Sequence, residues 1–364
     1  MKAVKARHIG ILSALALYFL FSLPYLELPG LHYDEVNFVN AALGDIDGSF
    51  IAWKVRLFGK DLPLMIMDYI GALKSALYAP ILRIFGGSPY TVRLPVVVIG
   101  AVTLLFAYGL LRRTFDVRVG VAGLFLLATD PSFIFANRLD WGPVSLMLLL
   151  EVASLYFLRR WTAEGKRLHL AVSALLAGLG VYNKIIYVWF VASLAVSMPL
   201  FFYDKFRLLL DRRNLACLLS MFFLGCLPLI AFNIAIPAAT FRNEQGFVKP
   251  SAELLKQRCA MFQSTMDGRA VYYFLNQQDL ADTSRAADMP GAGKTEAFIA
   301  KLAASPRIGK TPTPYVFAAA AVWIIASACT GLPRRKREIL FLLAQMFFIA
   351  GFICLSPKAS GSHH

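Results

Sequence analysis

Apolar residues come in long blocks separated by short polar gaps, at about 9–27, 94–111, 119–134, 143–158, 168–183, 185–203, 214–236, 314–331 and 339–355. Each block is near the length of about 20 residues that a helix needs to cross a bilayer. The pattern therefore predicts an all-α polytopic membrane protein of about nine spans. The first block follows Lys2, Lys5 and Arg7 and closes on Ser22-Leu23-Pro24-Tyr25. That close is too bulky for a signal-peptide cleavage site, so the block is an uncleaved span.

The gaps alternate in charge. Arg112, Arg113 and Arg118 fill one, and Arg159, Arg160, Lys166 and Arg167 the next but one. Lys205, Arg207, Arg212 and Arg213 follow in the same phase, as do Arg334 to Arg337. Cationic loops stay in the cytoplasm, which puts the N-terminus inside and the C-terminus outside. Leu64 to Phe85 is long enough to cross, but Asp68, Lys74 and Arg83 interrupt it, and counting it would invert every later loop. We read it as a pair of interfacial helices. Three regions result: a transmembrane domain over 1–364, a large first external loop at 28–93, and a polar external insert at 237–313.

Composition refines this picture. Hydrophobic residues make up 58% of the chain, and mean hydropathy is +0.61. The net charge of +15 sits between spans as a topology signal, so nucleic acid is not an expected partner. Five cysteines without a CxxC indicate neither a disulfide framework nor a metal knuckle. Gly291-Ala292-Gly293-Lys294-Thr295 falls short of a phosphate loop, since Asp288 stands where that motif requires glycine. Glu151 lies within a span, where a charge costs about 2.5–3.5 kcal/mol, so it should face protein.

The candidate chemistry lies in the external gaps. Asp34 and Glu35 open an apparent helix just past the first span. Successive helical residues point about 100° apart, so one acid can cap the helix while the other acts as a general base. Arg138 and Asp140 lie between two later spans. Asp140 has two readings, sharing a divalent cation with Asp34 or pairing with Arg138. Lys184 occupies the tightest gap, and it, Lys74 and Arg93 are each read as an interfacial anchor or as a phosphate ligand.

In this order, the chain resembles the GT-C glycosyltransferases, near the bacterial members of glycosyltransferase family 39, which are like the dolichyl-phosphate-mannose protein mannosyltransferases. The stretches that carry the resemblance are His32-Tyr33-Asp34-Glu35, Asp61-Leu62-Pro63-Leu64-Met65 and Tyr69-Ile70-Gly71-Ala72-Leu73-Lys74. Tyr90 to Pro95, Arg138 to Pro143 and the ending Ser360-Gly361-Ser362-His363-His364 continue it. The resemblance implies a GT-C-like helix bundle that transfers a sugar from a polyprenyl-phosphate carrier, with inversion, to a glycan, lipid or protein acceptor. It gives Asp34 the role of catalytic base, with Glu35 and Asp140 assisting. Arg93, Arg138, Lys184 and Lys74 would bind the substrate, together with His363 and His364.

The expected location is a bacterial inner membrane with the active site facing the periplasm. Members of this group usually continue well past this length, so a C-terminal truncation is expected. The alternative from another class is a transporter or flippase of a lipid-linked sugar, which would place polar groups along a path through the bilayer and often shows internal symmetry.

Overall fold

The computed structural model describes residues 2–28, 30–44, 51–57, 59–139, 142–243, 251–266 and 336–355, with a few positions between 315 and 326. Asp140, His363, His364, the 288–295 segment and nearly all of the 314–331 block lie outside the described residues.

The chain opens with α1 (Lys2–Ser22) and α2 (Tyr33–Leu43), then three strands, β1 (Trp53–Leu57), β2 (Lys60–Met67) and β3 (Ile70–Gly71). The helices α3 (Leu73–Phe85), α4 (Pro89–Thr114), α5 (Val117–Ala128), α6 (Pro131–Ala136), α7 (Val144–Glu164) and α8 (Arg167–Asn183) follow. A 3-10 turn (Ile185–Tyr187) leads into α9 (Val188–Phe201), α10 (Tyr203–Leu209), α11 (Arg212–Ala235) and α12 (Ala239–Asn243). The last two described helices are α13 (Ala252–Met266) and α14 (Lys336–Leu355).

The described residues form the expected bundle of apolar helices, with one small sheet. Its centre is α8, packed between α7 and α11, with α4 on the far side of α7. Leu146 and Leu150 of α7 meet Ala177 and Val181 of α8, and Leu229 and Phe232 of α11, in one buried cluster. A second cluster joins Tyr18 of α1 to Leu104 of α4 and Leu124 of α5. At the α8–α11 contact, a Cβ on Gly178 would fall 2.1 Å from the Phe222 carbonyl oxygen, and one on Gly225 would fall 2.6 Å from that of Leu175. Glycine at both positions lets the two backbones touch. Ile9, Leu12 and Leu20 of α1 and Leu224, Leu227 and Ile234 of α11 are exposed, as lipid-facing side chains are.

Two expectations need correction. Residues 119–134 do not form one helix. Asp130 accepts from the Phe133 N–H at 2.7 Å and Pro131 follows it, which starts a separate helix, α6. By length and composition, two described helices can cross a bilayer alone, α4 and α11. A third span results if α9, its 3-10 turn and α10, bent by 120°, are counted together.

The segment 64–85 is not a helix pair either. Its first part belongs to an antiparallel sheet in the order β1-β2-β3, with Trp53 opposite Met65 and Leu57 opposite Lys60. Gly59, at φ +76°, supplies the left-handed residue of the hairpin turn. Lys54 and Asp61 pair across the strands at 3.3 Å. Only α3 of this segment is helical.

By backbone contacts the chain forms two units. One comprises 1–248, 334–359 and 363–364, and the other 249–333 and 360–362. The second unit begins at Lys249, after α12, which packs on the first unit. Thr240 Oγ1 donates to the Asp68 carbonyl at 2.7 Å, and Asn233 bonds Thr240 through both its Nδ2 and Oδ1. The described helix of the second unit is α13, with Glu253 in its first turn.

Candidate functional site

The two acids of the Asp34-Glu35 pair have separate surroundings. His32 caps α2: its side chain accepts from the Asp34 N–H at 3.2 Å, while its own N–H donates to Glu35 Oε2 at 2.6 Å. This reciprocal arrangement turns Glu35 inward, where it is fully buried. It meets Arg93, whose Nε donates to Glu35 Oε1 at 2.7 Å and whose Nη2 donates to Oε2 at 2.9 Å. The remaining N–H groups of Arg93 go to backbone. Nη1 reaches the carbonyls of Leu26 at 2.6 Å and Leu28 at 3.1 Å, and Nη2 reaches that of Gly30.

All five donors of the guanidinium are therefore spent. The sequence reading of Arg93 as a phosphate ligand and of Glu35 as a catalytic acid gives way to a buried clamp. It fastens the exit of α1 to the start of α4. Arg138 donates from Nη2 to the carbonyls of Pro24 at 2.6 Å and Tyr25 at 2.5 Å.

Asp34 faces the other way. Its Oδ2 lies 3.8 Å from where a Cβ on Gly142 would stand. Gly142 has φ +63°, and its carbonyl accepts from the ammonium of Lys74. Lys74 opens α3, is buried, and lies 4.0 Å above the Phe38 ring.

Lys184 joins this group from α8, where it ends the helix and is 2% exposed. Burial pulls its ammonium down to about 8, while the nearby Asp34 carboxylate supports the charge and Lys74 opposes it. Its backbone is tied to the sheet: Ile70 and Lys184 form an antiparallel bridge, and the Ile185 N–H donates to the Tyr69 carbonyl at 3.0 Å. The Tyr182 hydroxyl adds a donor bond to the Leu64 carbonyl at 2.7 Å and an acceptor bond from the Ala72 N–H at 3.2 Å.

The structure thus brings together Asp34, Lys74 and Lys184 of the sequence-predicted set. It commits Glu35 and Arg93 to a buried pair and ties Nη2 of Arg138 to the Pro24 and Tyr25 carbonyls, and Asp140, His363 and His364 lie outside the described residues. Two further participants were missed. One is Gly142, whose Trp-Gly-Pro context was the available signal for a positive φ. The other is Asn183, fully buried, with Nδ2 donating to the Pro143 carbonyl at 3.1 Å. Its Oδ1 has no hydrogen-bond partner, leaving an acceptor beside Lys184. Among the described residues no three His, Cys, Asp or Glu side chains converge as a metal site would require.

This cluster sits at one end of the bundle. The N-termini of α4 and α7 and the C-terminus of α8 meet there, while the arginines at 112, 113, 159, 160 and 167 mark the opposite end.

Residues 73–232 match the family model described as dolichyl-phosphate-mannose-protein mannosyltransferase. That stretch holds Lys74, Arg93, Arg138 and Lys184 and begins after the acid pair. Among solved structures, the chain is similar to the Archaeoglobus fulgidus oligosaccharyltransferase in its apo form, at 16% identity and a TM-score of 0.52. The match covers 98% of this chain and 48% of the archaeal one, so this chain spans about half that protein's length. No curated protein sequence matches significantly. Residues 73–232 are thus similar to the protein mannosyltransferases, and the chain shares its fold with part of the archaeal oligosaccharyltransferase.

Proposed function

We infer that this chain transfers a sugar from a polyprenyl-phosphate-linked donor to a hydroxyl-bearing acceptor, glycan, lipid or protein, at the external membrane face. The observation that carries this reading is the placement of Asp34 beside two buried lysines at the end of the bundle opposite its arginines. The Asp34 carboxylate removes the proton from the acceptor hydroxyl. The freed oxygen bonds to the anomeric carbon from the face opposite the departing phosphate, inverting that centre. The carbon–oxygen bond to phosphate breaks, its electron pair stays on the phosphate, and Lys184 and Lys74 meet the growing negative charge.

Buried ammonium groups are strong partners for that charge because little water screens them. Asn183 Oδ1 offers an acceptor to a sugar hydroxyl. Asp140, two residues before Gly142, assists by its place in the sequence. Glu35 and Arg93 position the first turn of α2, which carries Asp34. Asp34 and Asp140 would be the residues to hold a divalent cation, which would supply further charge for the leaving phosphate.

The test is turnover of a polyprenyl-phosphate hexose by bacterial membranes carrying this chain, with released polyprenyl phosphate measured by mass spectrometry. Release by the wild type and a loss of 10²–10⁴-fold in Asp34→Asn is the expected result. Equal release from both removes Asp34 as the base. No release from either, with the protein shown to be inserted, overturns the reading for this chain.

A further inference from the structure

At the opposite end of the bundle a cavity opens between α4, α7, α9, α10 and α14. It contains about 750 Å³ of empty space, part of it open to the surroundings. Leu155, Leu158, Met198 and Phe341 give it apolar walls, and Arg159, Lys205 and Glu338 are its charged lining groups.

Arg159 differs from Arg93 in one respect that bears on a ligand. Its Nε is buried and has no hydrogen-bond partner. Its other two bonds, to Thr162 Oγ1 and to the Arg113 carbonyl, are both 3.4 Å long. Those lengths lie beyond the usual range for N–H···O bonds. A half-buried guanidinium with unspent donors is suited to an oxyanion, which it can grip with two parallel hydrogen bonds. Lys205 adds a second cation, and the single carboxylate of Glu338 leaves the lining net positive. An oxyanion joined to an apolar cavity calls for an amphiphile. In a membrane protein, basic pockets between helices hold phosphate-bearing lipid head groups.

We propose that this cavity holds one glycerophospholipid of the surrounding membrane, its phosphate on Arg159 and Lys205 and an acyl chain among Leu155, Leu158, Met198 and Phe341. The site is separate from the sugar-transfer cluster. Fifteen helical steps from Val144 to Arg159 place the two about 22 Å apart along α7. It therefore stands or falls independently of the proposed reaction.

The experiment is native mass spectrometry of the chain purified from membranes in mild detergent. One glycerophospholipid per chain should be retained by the wild type, and at least fivefold less by the Arg159→Gln/Lys205→Gln variant. Leu158→Trp fills the apolar part without changing charge and should lose the lipid to the same extent, with gel filtration verifying that each variant is folded. Equal retention in the wild type and both variants overturns the proposal. So does recovery of polyprenyl phosphate in place of a glycerophospholipid, or displacement of the bound species by inorganic phosphate alone.

Discussion

Glu35 and Arg93 grip each other through two hydrogen bonds, at 2.7 and 2.9 Å, with neither side chain reached by solvent. Breaking one half of such a buried pair leaves the other charge stranded, at a cost of about 3–5 kcal/mol. Arg93→Met and Glu35→Gln should each lower thermal stability in detergent by about that amount. The double variant should recover part of the loss. A double variant as unstable as the sum of the singles would show that the two residues act separately.

Lys184 gives a pH dependence of definite sign. The unfolded chain holds this proton up to the ordinary lysine value of 10.5, while the folded chain releases it near 8. Between those values the unfolded state binds more protons, so folding stability should rise with pH. Sugar transfer should move the opposite way, falling as pH passes about 8 and the cation for the leaving phosphate is lost. Lys184→Arg, if active, should lack this alkaline decline. A pH–rate profile of the free enzyme that is flat to pH 10 would exclude Lys184 from the phosphate site.

Gly142 should tolerate no side chain. At φ +63° an alanine is strained by about 1–2 kcal/mol, and its Cβ would approach the Asp34 carboxylate at 3.8 Å. Gly142→Ala should reduce thermal stability by that margin and reduce turnover more than stability alone explains. Turnover and melting measured on the same preparation separate the two effects.

Gly178 probes the centre of the bundle. A methyl there would be driven into the Phe222 backbone, so α8 and α11 must part. Overpacking of this kind costs about 1–3 kcal/mol. Gly178→Ala should melt earlier than the wild type, and Gly225→Ala should behave alike. Unchanged melting in both would mean that the helices can separate freely.

Much of the helical plan was legible in the sequence, because apolar runs such as 94–111 and 214–236 need only their own composition to declare themselves. The block at 119–134 misled because its break depends on two residues, Asp130 and Pro131, inside an otherwise apolar run. The strands at 60–71 were hidden for a different reason. Leu64 to Met67 is apolar without alternation, and the partners of the sheet lie in Trp53–Leu57 and beside Lys184. In the candidate site, Asp34, Lys74 and Lys184 were identified from residue type and loop position. The burial of Arg93 was not, since its partner Glu35 is 58 residues away and its other acceptors are backbone carbonyls.

The bridge between Ile70 and Lys184 makes a hairpin more than 110 residues upstream part of the mounting of that lysine. Its height above the bundle is set jointly by the end of α8 and by the edge of a sheet. If Lys184 meets the leaving phosphate as proposed, mutations in the hairpin should alter how tightly that phosphate is held without touching any charged group. In a homologue with a lengthened or shortened hairpin, Lys184 would be expected to shift along with it, giving evolution a way to retune the site from its scaffold.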